Sequence, residues 1–202
     1  MATLVVATGN QGKRAEFERL FRRLPARILD LSAGGPGYVA PPEDGTTYAE
    51  NARIKARAAA RASGRLALAD DSGIEVEALG GAPGVHSARY GGEGLDDAGR
   101  VDRLLVELAD IVPARRQAAF VCHLAVAAPD GLIVAEAETR LGGRVAMRPR
   151  GNNGFGYDPV FEVPALGATM AELAAAAKDL VSHRGRAAAL LLPELSRLVV
   201  DF

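Results

Sequence analysis

The order of apolar and polar positions reads as alternating strands and helices. Leu4 to Thr8 reads as a buried strand, and Gly9 to Gly12 as a turn opening a helix in which Phe17, Leu20, Phe21 and Leu24 recur at helical spacing. Ala26 to Leu31 predicts a second strand. Ser32 to Asp44 carries Gly34, Gly35, Pro36, Gly37, Pro41 and Pro42 and is expected to be irregular. Thr47 or a neighbour caps a helix rich in alanine and arginine that runs to about Ser63 and ends at Gly64. Leu66 to Ala69 is a third strand, delivering Asp70 and Asp71 where it stops. Ile74 to Leu79 then alternates apolar and acidic residues as a half-exposed strand does.

A glycine-rich loop from Gly80 to Gly94 precedes a helix over Asp96 to Leu108, striped by Val101, Leu104, Leu105 and Leu108. Gln117 to Ala127 and Leu132 to Arg140 flank Pro129, Asp130 and Gly131, which predicts a hairpin. A second glycine-rich loop, Arg150 to Asp158, leads into a short strand at Pro159 to Val163. Met170 to Lys178 and Ser182 to Leu198 close the chain as helices, the second bent near Pro193. No repeat or low-complexity linker divides these parts. Helices interleaved with single strands and a hairpin give a mixed α/β fold in a single folded unit of 202 residues.

Composition narrows the function. With 49% hydrophobic and 24% charged residues the chain is an ordinary globular protein. A net charge of -1 argues against a binder of nucleic-acid polymers, which must neutralise many phosphates, but it leaves room for one small anion. No apolar run is long enough to span a bilayer, so no membrane partner is expected. The single cysteine, Cys122, reads as a small buried hydrophobe and makes a reducing cytoplasm the default compartment. His86, His123 and His183 lack zinc-ligand spacing, and His123, inside an apolar strand, reads as a satisfied core or edge residue. Of the 24 basic residues only Lys13, Lys55 and Lys178 are lysines, so those positions are expected to need a compact point charge.

Four segments carry candidate chemistry. Thr8, Gly9, Asn10, Gln11, Gly12 and Lys13 lie where a strand hands over to a helix, a place where backbone N–H groups and a lysine attract an anion. The spacing fits neither the Walker pattern nor a dinucleotide fingerprint. Asp70 and Asp71 supply the hard oxygen ligands that suit Mg²⁺, which takes one or two carboxylates plus substrate phosphates. Ser72 and Gly73 add a hydroxyl and open backbone beside them, and Glu43, Asp44 and Glu50 are further acids within reach, with Asn51 and Lys55 on one helix face. Gly154, Phe155, Gly156, Tyr157 and Asp158 set an aromatic ring between glycines, suited to stacking on a flat base. His183 and Arg184 follow Ser182 at a helix start.

Taken together, TGNQGK at 8 to 13, EDGTTYAENARIKA at 43 to 56, LADDSGIEVEALGGAPGVHSARY at 68 to 90, GFGYDPVF at 154 to 161 and KDLVSHRG at 178 to 185 resemble the inosine/xanthosine triphosphate pyrophosphatases, in order, from Leu4 to Leu195. The resemblance implies a mixed α/β fold with a long central sheet flanked by helices, two lobes around a nucleotide-binding cleft, Mg²⁺ dependence and a homodimer. It implies hydrolysis of deaminated purine nucleoside triphosphates (ITP, dITP, XTP) to monophosphate and pyrophosphate. By position, Thr8 to Lys13 holds the triphosphate, Asp71 binds Mg²⁺ and accepts a proton, and Ser72 touches substrate. Phe155, Gly156, Tyr157, Asp158, Lys178, His183 and Arg184 form the nucleoside pocket, with Glu43 as second metal ligand and Lys55 as phosphate contact. Asn152 and Asn153 stand where the pattern expects glycines, a departure in the approach to Phe155.

A metal-bound carboxylate loses proton affinity, so Asp71 is expected to orient the attacking water, with Asp70 or a metal-bound hydroxide sharing the proton transfer. A donor-only Arg184 or Lys178 would accept the C6 carbonyl of inosine and mismatch the amino group of adenosine. A pyrophosphatase of modified pyrimidine nucleotides and a non-catalytic nucleotide-binding module are the competing readings.

Overall fold

The computed structural model describes residues 2–35, 38–92 and 94–201, together with the side chains of all of these but Ala33 and Asp201. Pro36 and Gly37 of the predicted irregular segment and Glu93 of the first glycine-rich loop lie outside the described residues. The elements are β1 (Ala2–Val6), α1 (Gln11–Leu20), β2 (Ala26–Leu29), α2 (Tyr48–Ser63), β3 (Leu66–Val76), α3 (Asp97–Glu107), β4 (Gln117–Ala127), β5 (Ile133–Val145), β6 (Phe161–Val163), β7 (Ala168–Thr169), α4 (Ala175–Val181) and α5 (His183–Asp201). The strands form a seven-stranded sheet in the order β2-β1-β3-β4-β5-β6-β7. β1 runs parallel to β2 and β3, and β6 antiparallel to β5 and β7. This is the mixed α/β architecture that the interleaved pattern predicts. Among the described residues no helix is long and apolar enough to cross a membrane.

The chain divides into two compact units, the first comprising Met1–Asp71, Cys122–Thr139 and Arg184–Phe202 and the second Ser72–Val121 and Arg140–His183. In the first unit the sheet is covered on both faces. Leu4, Val6, Leu66, Leu68, Leu124 and Val126 pack with Phe17 and Phe21 of α1 and Leu191 and Leu195 of α5. Val5, Ala67, Ala69, Ala125 and Ala127 face the small side chains Ala52, Ala56, Ala59 and Ala60 of α2. Strand side chains alternate in direction, so double coverage makes each strand a continuous apolar run. In α2 the Thr47 hydroxyl accepts from the Glu50 N–H and the Glu50 carboxylate caps in return, while Gly64 ends the helix in the left-handed region (φ 63°). Cys122 is fully buried here, and His123 is held between Glu136 and Glu138, 2.9 and 3.0 Å from its two ring nitrogens.

The second unit has its own core, in which Ile74, Val76, Leu104, Phe120, Leu141, Tyr157, Phe161 and Met170 meet.

Several boundaries differ from expectation. β3 does not stop at the aspartates but continues to Val76, and Glu77–Leu79 is a 3-10 turn rather than strand. β5 runs five residues past Arg140 because Arg144 and Val145 pair with β6. The helix predicted over Met170 to Lys178 is two pieces: a 3-10 turn at Met170–Glu172, closed by a Thr169/Glu172 capping box, and then α4. β1 lies two residues earlier than predicted, leaving Thr8 in the loop, where its hydroxyl accepts from the Asn10 N–H at 3.2 Å.

Candidate active site

The neighbouring aspartates are explained by β3 running straight through them. Because alternate side chains face opposite ways, Asp70 continues the face of Leu66 and Leu68 and Asp71 that of Ala67 and Ala69. Each like charge therefore meets its own cations.

On the α1 and α5 face, the Asp70 carboxylate, 2% exposed, takes Lys13 Nζ at 3.0 Å and two guanidinium donors of Arg184 at 2.9 and 3.1 Å. Arg184 also donates to Glu16 at 2.6 Å, and Phe17 lies under its guanidinium. Burial alone would raise the Asp70 carboxyl, but Lys13 and Arg184 hold it far below the usual carboxylate range. Held in this way, Asp70 anchors both Lys13 and Arg184. Lys13 itself is in the first turn of α1, whose N-cap Asn10 accepts from the Lys13 N–H at 2.9 Å. Gly9 and Gln11 are exposed, with Thr8 and Gly12 half-buried.

On the α2 face, Asp71 takes Lys55 Nζ at 3.0 Å on one oxygen and the Asn51 side-chain amide at 3.2 Å on the other. Lys55 Nζ is also 2.8 Å from a Glu43 carboxylate oxygen. Burial holds the Asp71 carboxyl above its ordinary value despite Lys55 and Lys13 pulling the other way. Burial would lower the Lys55 ammonium, but the charges of Asp71, Asp70 and Glu43 raise it. Asp71 and Glu43 thus converge on one positive charge, which is the donor chemistry of a hard divalent ion using two protein carboxylates. Among the described residues no group of three or more His, Cys, Asp or Glu side chains is placed to hold a metal ion.

The second unit holds the aromatic loop. The Phe155 N–H donates to Asp158 at 2.9 Å, and Asp158, 3% exposed, is ion-paired with the buried Lys178. Lys178 Nζ stands over the Phe155 ring, 4.7 Å from its centroid. The Tyr157 hydroxyl donates to the Ser87 carbonyl at 2.9 Å, so Tyr157 packs beneath the loop. His183 is stacked on Phe120 with centroids 4.6 Å apart, and Ser72 is half-buried on β3. The structure thus brings Phe155, Asp158 and Lys178 together, whereas Arg184 is committed to Asp70 and Glu16 in the first unit.

The asparagine departure costs the loop nothing in backbone terms. Its positive φ angles fall on Gly151, Gly154 and Gly156, and the Asn153 side chain donates to the Leu173 carbonyl at 3.1 Å. Gly154 is the demanding position: at φ 77°, a Cβ would lie 2.0 Å from the Asp158 carboxylate and 3.0 Å from Lys178 Nζ. Gly154→Ala is expected to cost about 1–3 kcal/mol of stability. Gly142→Ala, whose Cβ meets nothing within 4 Å, is the matched control. Urea denaturation of both variants checks this, and equal midpoints would refute it.

All three lysines are thus matched to buried aspartates, Lys13 to Asp70, Lys55 to Asp71 and Lys178 to Asp158. Glu16 and the bracing role of Asn51 escaped the sequence reading. Glu16 interrupts the apolar stripe of α1 beside Phe17, and a carboxylate on a buried helix face signals a buried cation.

The site is thus framed by a mixed α/β sheet whose strand β3 carries a buried, lysine-matched carboxylate on each face. The chain belongs to the Ham1 family, whose model matches residues 4–194. It is 48% identical over 199 residues to a protein of Parasynechococcus marenigrum named dITP/XTP pyrophosphatase, covering 98% of this chain and 97% of that one. Among solved structures, a HAM1 protein from Coxiella burnetii superposes with a TM-score of 0.85 at 38% identity, covering 100% of both chains. A nucleoside-triphosphatase / dITP/XTP pyrophosphatase from Mycobacterium abscessus gives 0.74 at 44% identity over 95% of this chain and 99% of that one.

Proposed function

We propose that this enzyme hydrolyses deaminated purine nucleoside triphosphates, ITP, dITP and XTP, to the nucleoside monophosphate and pyrophosphate, and so keeps these bases out of nucleic acids. The observation that carries the reading is the convergence on Lys55 of α2 of two carboxylates, Asp71 from the buried strand β3 and Glu43 from the loop before the helix. The names of the relatives supply the substrate class.

Asp71 and Glu43 are the residues that would hold Mg²⁺. When bound, the ion supplies positive charge to the phosphate oxygens and to the departing pyrophosphate. The rest falls to the chain itself. Lys13 and the N–H groups at the start of α1 bind phosphate oxygens, and Asp70 keeps the Lys13 ammonium in place. Asp71, braced by Asn51, orients the water that attacks the α-phosphorus and takes its proton; burial has already weakened its preference for the ionised form. Lys55 balances the charge on Asp71 and contacts a phosphate oxygen. No covalent intermediate is required, because positioning and electrostatics carry phosphoryl transfer.

In the second unit, Phe155 stacks on the base and Lys178, a donor without acceptor capacity, takes the C6 carbonyl. Adenine offers an amino group there and leaves the ammonium mismatched. Asp158 holds both Phe155 and Lys178, and His183 completes the wall. The reading includes a homodimer as the working form and the cytoplasm as its compartment.

The test is pyrophosphate release from ITP, dITP, XTP, dUTP, ATP and GTP with Mg²⁺ and then with EDTA. The first three are expected to exceed ATP by about 10²-fold or more in kcat/KM, and EDTA to stop all turnover. Equal rates on ATP and ITP would overturn the selectivity, a preference for dUTP would make this a pyrimidine enzyme, and binding without turnover would make it a non-catalytic module.

A further inference from the structure

The ring of Phe155 is fixed by two consecutive backbone amides. Its own N–H goes to Asp158, inside the set already described. The next, that of Gly156, donates at 2.7 Å to the carboxylate of Asp97, a residue 59 positions away at the start of α3. Both carboxylates lie in the second unit, so the loop is held by one anchor on each side of the ring. Asp97 is otherwise an exposed helix residue whose second oxygen pairs loosely with Arg100 at 3.5 Å. Beside it lies a groove of about 390 Å³ lined by Asp97, Val101, Asp102, Asn153, Phe155 and Pro159. The loop therefore has open space on that side, and the Asp97 acceptor spans it.

We infer that Asp97 is a positioning residue for base recognition, acting through the Gly156 amide to hold the Phe155 ring where it can stack. The inference rests on the reading of Phe155 as the base-stacking ring. Gly156 sits at φ 61°, and the two flexible glycines flanking Phe155 give the ring no stiffness of their own. Without the acceptor at Asp97 the ring has freedom to swing into the groove, and ordering it again on binding would cost affinity rather than chemistry. An effect of that kind raises KM and leaves kcat alone.

The experiment is a double-mutant cycle on ITP hydrolysis with Asp97→Ala, Asp97→Asn, Phe155→Ala and the Asp97→Ala/Phe155→Ala double variant, each with a thermal melt. Asp97→Ala is expected to raise KM about five- to tenfold with kcat within about twofold. Asp97→Asn keeps a carbonyl oxygen to accept from Gly156 and is expected to restore KM to within about twofold of wild type. The double variant is expected to be no worse than Phe155→Ala alone. An unchanged KM in Asp97→Ala, an asparagine variant as impaired as the alanine, or multiplicative effects in the double variant would each overturn the role of Asp97 while leaving Phe155 in place. If Phe155→Ala itself leaves KM unchanged, the stacking reading falls and takes this inference with it.

Discussion

Asp71→Asn is expected to lower kcat for ITP by about 10³-fold while moving the melting temperature by only a few degrees. The two halves of that expectation have separate causes. The residue is 5% exposed, and burial raises its carboxyl, so the folded protein bears a desolvation cost to keep this charge ionised. An asparagine of the same shape removes that cost and loses the attraction to Lys55, and the two changes oppose each other. The amide cannot take a proton from water, and it replaces a hard anionic oxygen with a neutral one facing Glu43 and Lys55. Steady-state kinetics and a melt on the same preparation decide it. A variant keeping more than about a tenth of wild-type kcat would remove Asp71 from the chemistry.

The adjacency of Asp70 and Asp71 shows what sequence can and cannot reveal here. Their presence at the end of an apolar run marks a site, because an unpaired buried carboxylate is too costly to keep without a purpose. Their division of labour was hidden. A pair of like charges reads naturally as the end of a strand, and only the covering of both sheet faces, by α1 and α5 on one and α2 on the other, lets the strand continue with each aspartate matched to its own lysine. Elements with local signals were legible: the capping box and terminal glycine of α2, the Pro-Asp-Gly turn before β5, and the glycines around Phe155 are all contiguous. Non-contiguous pairings were not. Arg184 meets Asp70 across 114 positions and Gly156 meets Asp97 across 59, and no spacing rule connects residues so far apart. The pairing of the Arg184 guanidinium with two carboxylates is of this kind.

The ion pairs of Asp70 carry the second large expectation: Asp70→Ala should lower stability by about 3–5 kcal/mol, a large part of what a marginally stable domain possesses. Its carboxylate oxygens are fully shielded, and with them gone Lys13 loses its anion and Arg184 keeps Glu16. Two cations would then face each other's field in a dry interior, where removing one member of an ion pair costs more than the pair contributes when complete. Glu16→Gln makes the informative contrast. It leaves Arg184 doubly bonded to Asp70 and keeps a side-chain carbonyl as acceptor, so its cost is expected near 1 kcal/mol. For a protein of this size the alanine variant should melt on the order of 10 °C lower, and the glutamine variant a few degrees lower. If the two variants melt together, Asp70 is not the anchor of this network, and the ionised state assigned to it would have to come from elsewhere.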